Sequence, residues 1–142
     1  MKLPTIIFLL SLFALSQQSC SSCDWTRNLP GLVVSSADRF DNVMNQAGYR
    51  DRTVFVEVFL KSCPHCKDYW RFYKEAADRL GKEHPLNFVN VDAASAGAFV
   101  ERYGLKYVPT VMVFKEGQLA GVYQKQYFHT SEAAYNWLKE QL

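Results

Sequence analysis

The run Thr53–Leu60 (TVFVEVFL) is β-branched and aromatic almost throughout and holds no turn residue. Such a run reads as a strand buried on both faces. It leads at once into Lys61-Ser62-Cys63-Pro64-His65-Cys66, and then into a helical stretch to about Leu80. Tyr69, Trp70, Tyr73, Ala76, Ala77 and Leu80 give that stretch its apolar spacing, and Gly81 is the expected stop. A buried strand, a Cys-x-x-Cys pair and a helix in direct succession leave few folds open.

The rest of the chain alternates in the same way. Leu32-Val33-Val34 is a short strand, and Ser35 or Ser36 caps a helix expected to run through Ala47 to a stop at Gly48. Leu86–Val91 is a third strand, and a short helix fits Ala94 to Arg102. Val111–Phe114 and Leu119–Tyr123 form a hairpin through Glu116-Gly117, and Ser131 is the expected cap of a last helix. The order β-α-β-α-β-α-β-β-α predicts an α/β fold. Its sheet is partly parallel, with helices on both faces and an antiparallel edge. At 142 residues the chain suits one domain, and 49% hydrophobic residues exclude a chain disordered throughout. A net charge of +2 gives no reason to expect a nucleic-acid partner.

Met1–Ser16 reads as a secretory signal peptide. Lys2 begins it, Ile6–Leu15 is almost wholly apolar, and Ala14 and Ser16 stand at the small-residue cleavage positions. A retained anchor is the other reading, but the run is short against the ~20 residues of a membrane span. A lipoprotein reading lacks its small-residue box, since Gln17-Gln18-Ser19 precede Cys20. Cleavage leaves no expected membrane span and puts the chain in a disulfide-permissive compartment. Residues 17–31 are then an extended arm carrying Cys20-Ser21-Ser22-Cys23, and residues 32–142 the domain.

A Cys-x-x-Cys pair either ligates zinc or cycles between dithiol and disulfide. Here the first cysteine faces the unpaired N–H groups and the positive end of a helix, which favour thiolate. Cysteines so placed reach a pKa of roughly 3.5–7.5, against ~8.5 when free. Cys63 is therefore the expected nucleophile, and Cys66, one turn deeper, resolves the mixed disulfide. Pro64 suits a first helical turn. His65 can donate to the Cys63 thiolate or hold charge beside it; a solvated loop histidine is the plainer reading. Glu57 is costly inside an apolar strand unless paired or protonated, which makes it a candidate proton carrier for Cys66. An edge position in solvent is its alternative. Pro109, just before the strand VMVF, belongs at a strand start, where its bond to Val108 can be cis or trans.

These residues together resemble the thioredoxin fold, and most of all a domain of the protein disulfide isomerase family. The similarity lies in VFVEVFLKSCPHCK, VNVDA, ERYGLKYVPTVMVFKEG and YNWLKEQL, and covers about Leu32 to Leu142. The resemblance implies that Pro109 is cis and packs beside Cys63. It implies that the Val108 backbone pairs with an extended client and that Glu57 is the buried proton-transfer acid. Lys106 matches a position where isomerase domains usually carry an arginine that tunes the resolving cysteine. Two departures stand out. Ser62 replaces the tryptophan before the first active cysteine, and Pro64-His65 replaces Gly-His. The Pro-His pair resembles the DsbA family of periplasmic oxidants, as does Val108, and tilts the reading toward oxidation of client thiols. It resembles the anterior-gradient proteins too, though these keep one cysteine.

Cys20 and Cys23 have three readings: a passive disulfide, a relay that exchanges with Cys63–Cys66, or half of a zinc site. The gap between the two pairs is wider than the ~15–20 residues of a zinc ribbon. His84 and His129 read as surface residues. Lys139-Glu140-Gln141-Leu142 is similar to an endoplasmic reticulum retrieval signal, with Gln141 departing from it.

The sequence thus points to a thiol–disulfide oxidoreductase that acts as an oxidase or isomerase on cysteine-containing client proteins. Its thiols would be recharged by an upstream thiol oxidant or reductant. The expected place is the endoplasmic reticulum lumen or outside the cell, or the periplasm of a bacterium. No motif for a metal, nucleotide or flavin appears. A thioredoxin-like reductase, a client-binding subunit with idle thiols and a zinc-held adaptor are the alternatives.

Overall fold

The computed structural model of the chain describes residues 24–142. The expected signal peptide Met1–Ser16, and Cys20 and Cys23, lie outside them. Five strands make one sheet in the order β1-β3-β2-β4-β5: β1 Leu32–Val34, β2 Thr53–Phe59, β3 Leu86–Asp92, β4 Thr110–Lys115 and β5 Gln118–Gln124. β1 and β2 each pair with β3 in parallel; β4 pairs antiparallel with β2 and β5. This is the mixed sheet with an antiparallel edge that the pattern predicts.

β2 is the central strand, and its two faces divide the core. Val54, Val56 and Val58 meet Phe40 and Val43 of α1 (Ala37–Met44) and Phe99 of α4 (Gly97–Arg102). Phe55 and Phe59 meet Tyr69, Tyr73 and Leu80 of α3 (Pro64–Glu83) and Leu138 of α5 (Ser131–Glu140). Aromatic rings fill both sides, with Phe40 edge-on to Phe99 at 4.8 Å and Phe55 stacked on Phe88 at 5.5 Å.

Several boundaries differ from the expected ones. The first helix ends at Met44, because Gln46 is extended (φ −69°, ψ 139°), and a separate turn, α2 (Ala47–Arg50), takes in Gly48. Gly81 does not stop α3. The helix runs on to Glu83, and His84, forced extended by the following Pro85, ends it. Thr130, not Ser131, caps α5, its hydroxyl accepting from the Ala133 N–H at 3.0 Å. The short helix starts at Gly97 rather than Ala94, whose N–H is taken by Asp92 in a turn.

The largest difference is in the stretch read as an extended arm. Its residues 24–31 fold back on the domain. Trp25–Asn28 form a 3-10 helix capped by Asp24, with Trp25 and Leu29 buried. Gly31 closes the turn at φ +80°, where a Cβ would sit 1.8 Å from the Phe88 carbonyl oxygen, so no other residue fits. Asn90 Nδ2 then donates to the Pro30 carbonyl at 2.6 Å.

Candidate active site

The site forms where β2 runs out and α3 begins. Cys63 is the N-cap of α3 and Pro64 occupies the first turn. The Cys66 N–H donates to Cys63 Sγ at 3.1 Å. Cys63 and Cys66 are joined as a disulfide, with Cα atoms 5.3 Å apart. The two sulfurs differ in access: Cys63 is half-buried, while Cys66 is 0% exposed. An external thiolate therefore meets Cys63, and the helix-end N–H groups are already aimed at that sulfur.

Glu57 is fully buried on the central strand, which excludes the solvent-edge alternative. It lies on the α3 face, the face that also holds Cys66. Burial pushes its carboxyl up to about 7, against a pull downward from a hydrogen bond donated by the Tyr69 hydroxyl. That bond is 2.7 Å long and ends on Oε1. Glu57 Oε2 has no hydrogen-bond partner, and neither do the buried Tyr73 hydroxyl oxygen and Asn90 Oδ1. Asn90 is the residue directly beside Glu57 on β3. A carboxyl near neutrality with one oxygen fixed and one open is able to take or give a proton. Tyr69 and Tyr73 themselves are pushed well above the ordinary tyrosine range, by burial first and then by Glu57.

The Val108–Pro109 bond is cis. Pro109 is buried, and its carbonyl accepts from the Lys125 N–H at 2.9 Å. Val108 is half-buried and, like Cys63, borders the α3-side cluster. His65 is exposed, and its ring lies against Tyr127 with centroids 4.9 Å apart. Both line a cavity of about 200 Å³ beside the helix start, with Tyr69, Phe72 and Phe128. A cavity of about 460 Å³ lies at the far end of β4, against Arg50 and the Glu116-Gly117 turn, away from the cysteines.

Cys63, Pro64, His65 and Cys66 thus share one helix start, and Glu57 is tied to the same helix through Tyr69. Lys106 is exposed and lines a second cavity with Val58, Leu60, Val100 and Val108. Among the described residues no group of three or more His, Cys, Asp or Glu side chains is disposed to hold a metal ion. No helix among them is long and apolar enough to cross a membrane. Sequence reasoning counted Tyr69 as core spacing and missed its bond to Glu57. The signal was a hydroxyl-bearing side chain one turn past Cys66, on the face turned to a buried carboxylate.

The thioredoxin family model matches residues 31–140. Human protein disulfide-isomerase A4 is 30% identical over 99 residues, which are 69% of this chain and 15% of that protein. Protein disulfide-isomerase A3 of Gallus gallus is 34% identical over 92 residues, 65% of this chain and 17% of that protein. The chain spans less than a fifth of the length of these relatives. Among solved structures, human ERp44 superposes with a TM-score of 0.65 at 18% identity, over 80% of this chain and 29% of that one. Plasmodium falciparum thioredoxin superposes with a TM-score of 0.62 at 22% identity, over 78% of this chain and 98% of that one. At these identities the two structures speak for the fold alone.

Proposed function

We propose that this chain, which belongs to the thioredoxin family, oxidises and isomerises disulfides in cysteine-containing client proteins of the secretory pathway. The observation that carries the reading is the Cys63–Cys66 disulfide at the start of α3, with one sulfur reachable and the other buried. A client thiolate attacks Cys63 Sγ and expels Cys66 as thiolate. Glu57 supplies the proton that Cys66 then takes up. A second client thiolate attacks the client sulfur of the mixed disulfide. The client leaves oxidised, and Cys63 leaves as a thiolate held by the Cys66 N–H. Stabilising that thiolate stabilises the reduced form, which makes the disulfide a stronger oxidant. His65 stands at the same helix start.

The extended client lies along Val108–Pro109, and a client side chain near its cysteine enters the cavity between His65, Phe72 and Tyr127. An upstream thiol oxidant restores the disulfide. The relatives named protein disulfide-isomerase and the predicted signal segment support the endoplasmic reticulum lumen as the place of action. The test is refolding of a reduced, disulfide-containing client in glutathione buffer. Faster recovery of native disulfides with the intact chain, lost in Cys63→Ser, supports the reading. Equal recovery with both proteins contradicts it.

A further inference from the structure

The loop that carries Val108–Pro109 has no regular structure of its own, since residues 105–109 form neither helix nor strand. Its neighbours fix it instead. Gln124, the last residue of β5, reaches across with its side chain. The Gln124 Oε1 accepts from the Lys106 N–H at 2.8 Å and from the Tyr107 N–H at 3.1 Å. Both partners are donors, so the oxygen of the side-chain amide has to face them. The Tyr107 carbonyl accepts from the Thr110 hydroxyl at 2.6 Å. The Pro109 carbonyl accepts from the Lys125 N–H at 2.9 Å. Lys125 stands at φ +58°, a conformation that favours glycine. A glycine there would lack the ammonium that lies 3.8 Å from the centre of the Tyr107 ring. The loop is thus pinned on both sides of Val108. Proline has no N–H to offer. From Tyr107 to Pro109, the backbone groups without a partner among the described residues are the N–H and the carbonyl of Val108. Val108 borders both core clusters, the α3-side one together with Cys63.

Resting on the oxidoreductase reading, we propose that Gln124 is a positioning residue for client binding. One side-chain oxygen holds two successive N–H groups of the loop, so that Val108 presents its own N–H and carbonyl to an extended client chain. Two physical effects follow. A slack loop would lose its conformational freedom only when a client binds, and affinity would fall accordingly. Free N–H groups on Lys106 and Tyr107 would also compete with Val108 for the client's carbonyls, and the bound chain could slip in register. The brace leaves one donor and one acceptor, and so one register for the client cysteine against Cys63. The ligand class is an extended polypeptide read through its main chain, whatever side chains it carries. The brace acts on that main chain and not on the sulfurs. A small dithiol such as dithiothreitol, which has no peptide chain to lay along Val108, gains nothing from it.

The test mixes the oxidised full-length chain with an excess of a reduced dithiol peptide in a stopped flow. The rate against peptide concentration gives a half-saturation and a limiting rate. Gln124→Met keeps the length of the side chain and removes the acceptor. It should raise the half-saturation about five- to tenfold, the net worth of a hydrogen bond, and leave the limiting rate within about twofold. Its rate with dithiothreitol should match that of the parent. Gln124→Glu returns an acceptor oxygen at the same reach and should bring the half-saturation back to within about twofold of the parent. Amide hydrogen exchange at Lys106 and Tyr107 should quicken in Gln124→Met and slow again in Gln124→Glu. An unchanged half-saturation in Gln124→Met, an equal loss of rate with dithiothreitol, exchange that does not quicken, or no rescue by Gln124→Glu overturns the assignment while the proposed function stands. A parent chain that exchanges with dithiothreitol and with no peptide overturns the proposed function, and this inference with it.

Discussion

The two faces of the central sheet are built for different ends. On the α1–α4 face, β2 presents Val54, Val56 and Val58 to Phe40, Val43 and Phe99, and the packing is hydrocarbon against hydrocarbon. On the α3–α5 face the same strand presents Phe55, Glu57 and Phe59. There the described residues hold three buried polar atoms without partners: Glu57 Oε2, Tyr73 hydroxyl and Asn90 Oδ1. An unpartnered buried polar atom costs about 1–3 kcal/mol. One face therefore stabilises the fold, and the other gives up stability around Glu57, on the side of the sheet that also holds Cys66.

The comparison breaks most sharply at the cysteines. Cys63→Ser should reduce oxidation of a dithiol client to the buffer background while leaving the unfolding midpoint close to that of the reduced parent. Cys66→Ser should instead accumulate a client–Cys63 mixed disulfide, visible on non-reducing gels. On the opposite face, Phe99→Ala removes a fully buried ring and should cost about 3–5 kcal/mol in urea unfolding. The reduction potential of the pair should stay where it was. A shift in potential there would show that the faces are not separable.

Glu57→Gln sharpens the contrast, because it should improve stability and impair chemistry together. The folded state keeps the Glu57 proton up to about pH 7, whereas the unfolded chain releases it near 4.5. Between those values the folded state binds more protons, so stability falls as pH rises through the window and stays low above it. The variant should gain about 3 kcal/mol over the parent above about pH 8, and nothing below about pH 4. Its exchange rate near neutrality should drop by about a hundredfold, the usual worth of a positioned proton carrier. Unfolding curves across pH and stopped-flow exchange check the two halves. The smallest effect is Tyr69→Phe. Losing the bond to Oε1 removes a force that favours the carboxylate. The Glu57 titration, followed by carboxyl carbon NMR, should then move upward by about one pH unit. Tyr73→Phe removes a hydroxyl that makes no bond to Glu57 and should leave the position of Oε1 and the slope of the profile intact.

What could be read from the sequence followed the strength of local signals. β2 was legible because seven of its residues are in a strand with no turn former, and the hairpin because Glu116 and Gly117 take the positive φ values such a turn demands. Cys63 and Cys66 were legible from strand, pair and helix in succession. The structure adds a cis bond at Val108–Pro109, a choice that local sequence leaves open and that the family resemblance implied. The 3-10 helix at Trp25–Asn28 was illegible, since four residues have no periodicity. Trp25 is buried by Phe59, far along the chain, and not by anything near it in sequence. Tyr69 was hidden for a related reason. Its ring satisfies the helical apolar stripe, and its hydroxyl acquires a role through a strand twelve residues earlier.

The reduction potential of Cys63–Cys66, measured by glutathione equilibration in the Cys20→Ser, Cys23→Ser chain, bears most directly on the account. A value between about −120 and −180 mV, the span of oxidants and isomerases, is the predicted result. A value near roughly −270 mV, that of thioredoxin, would contradict it and make the chain a reductase in need of an electron supply.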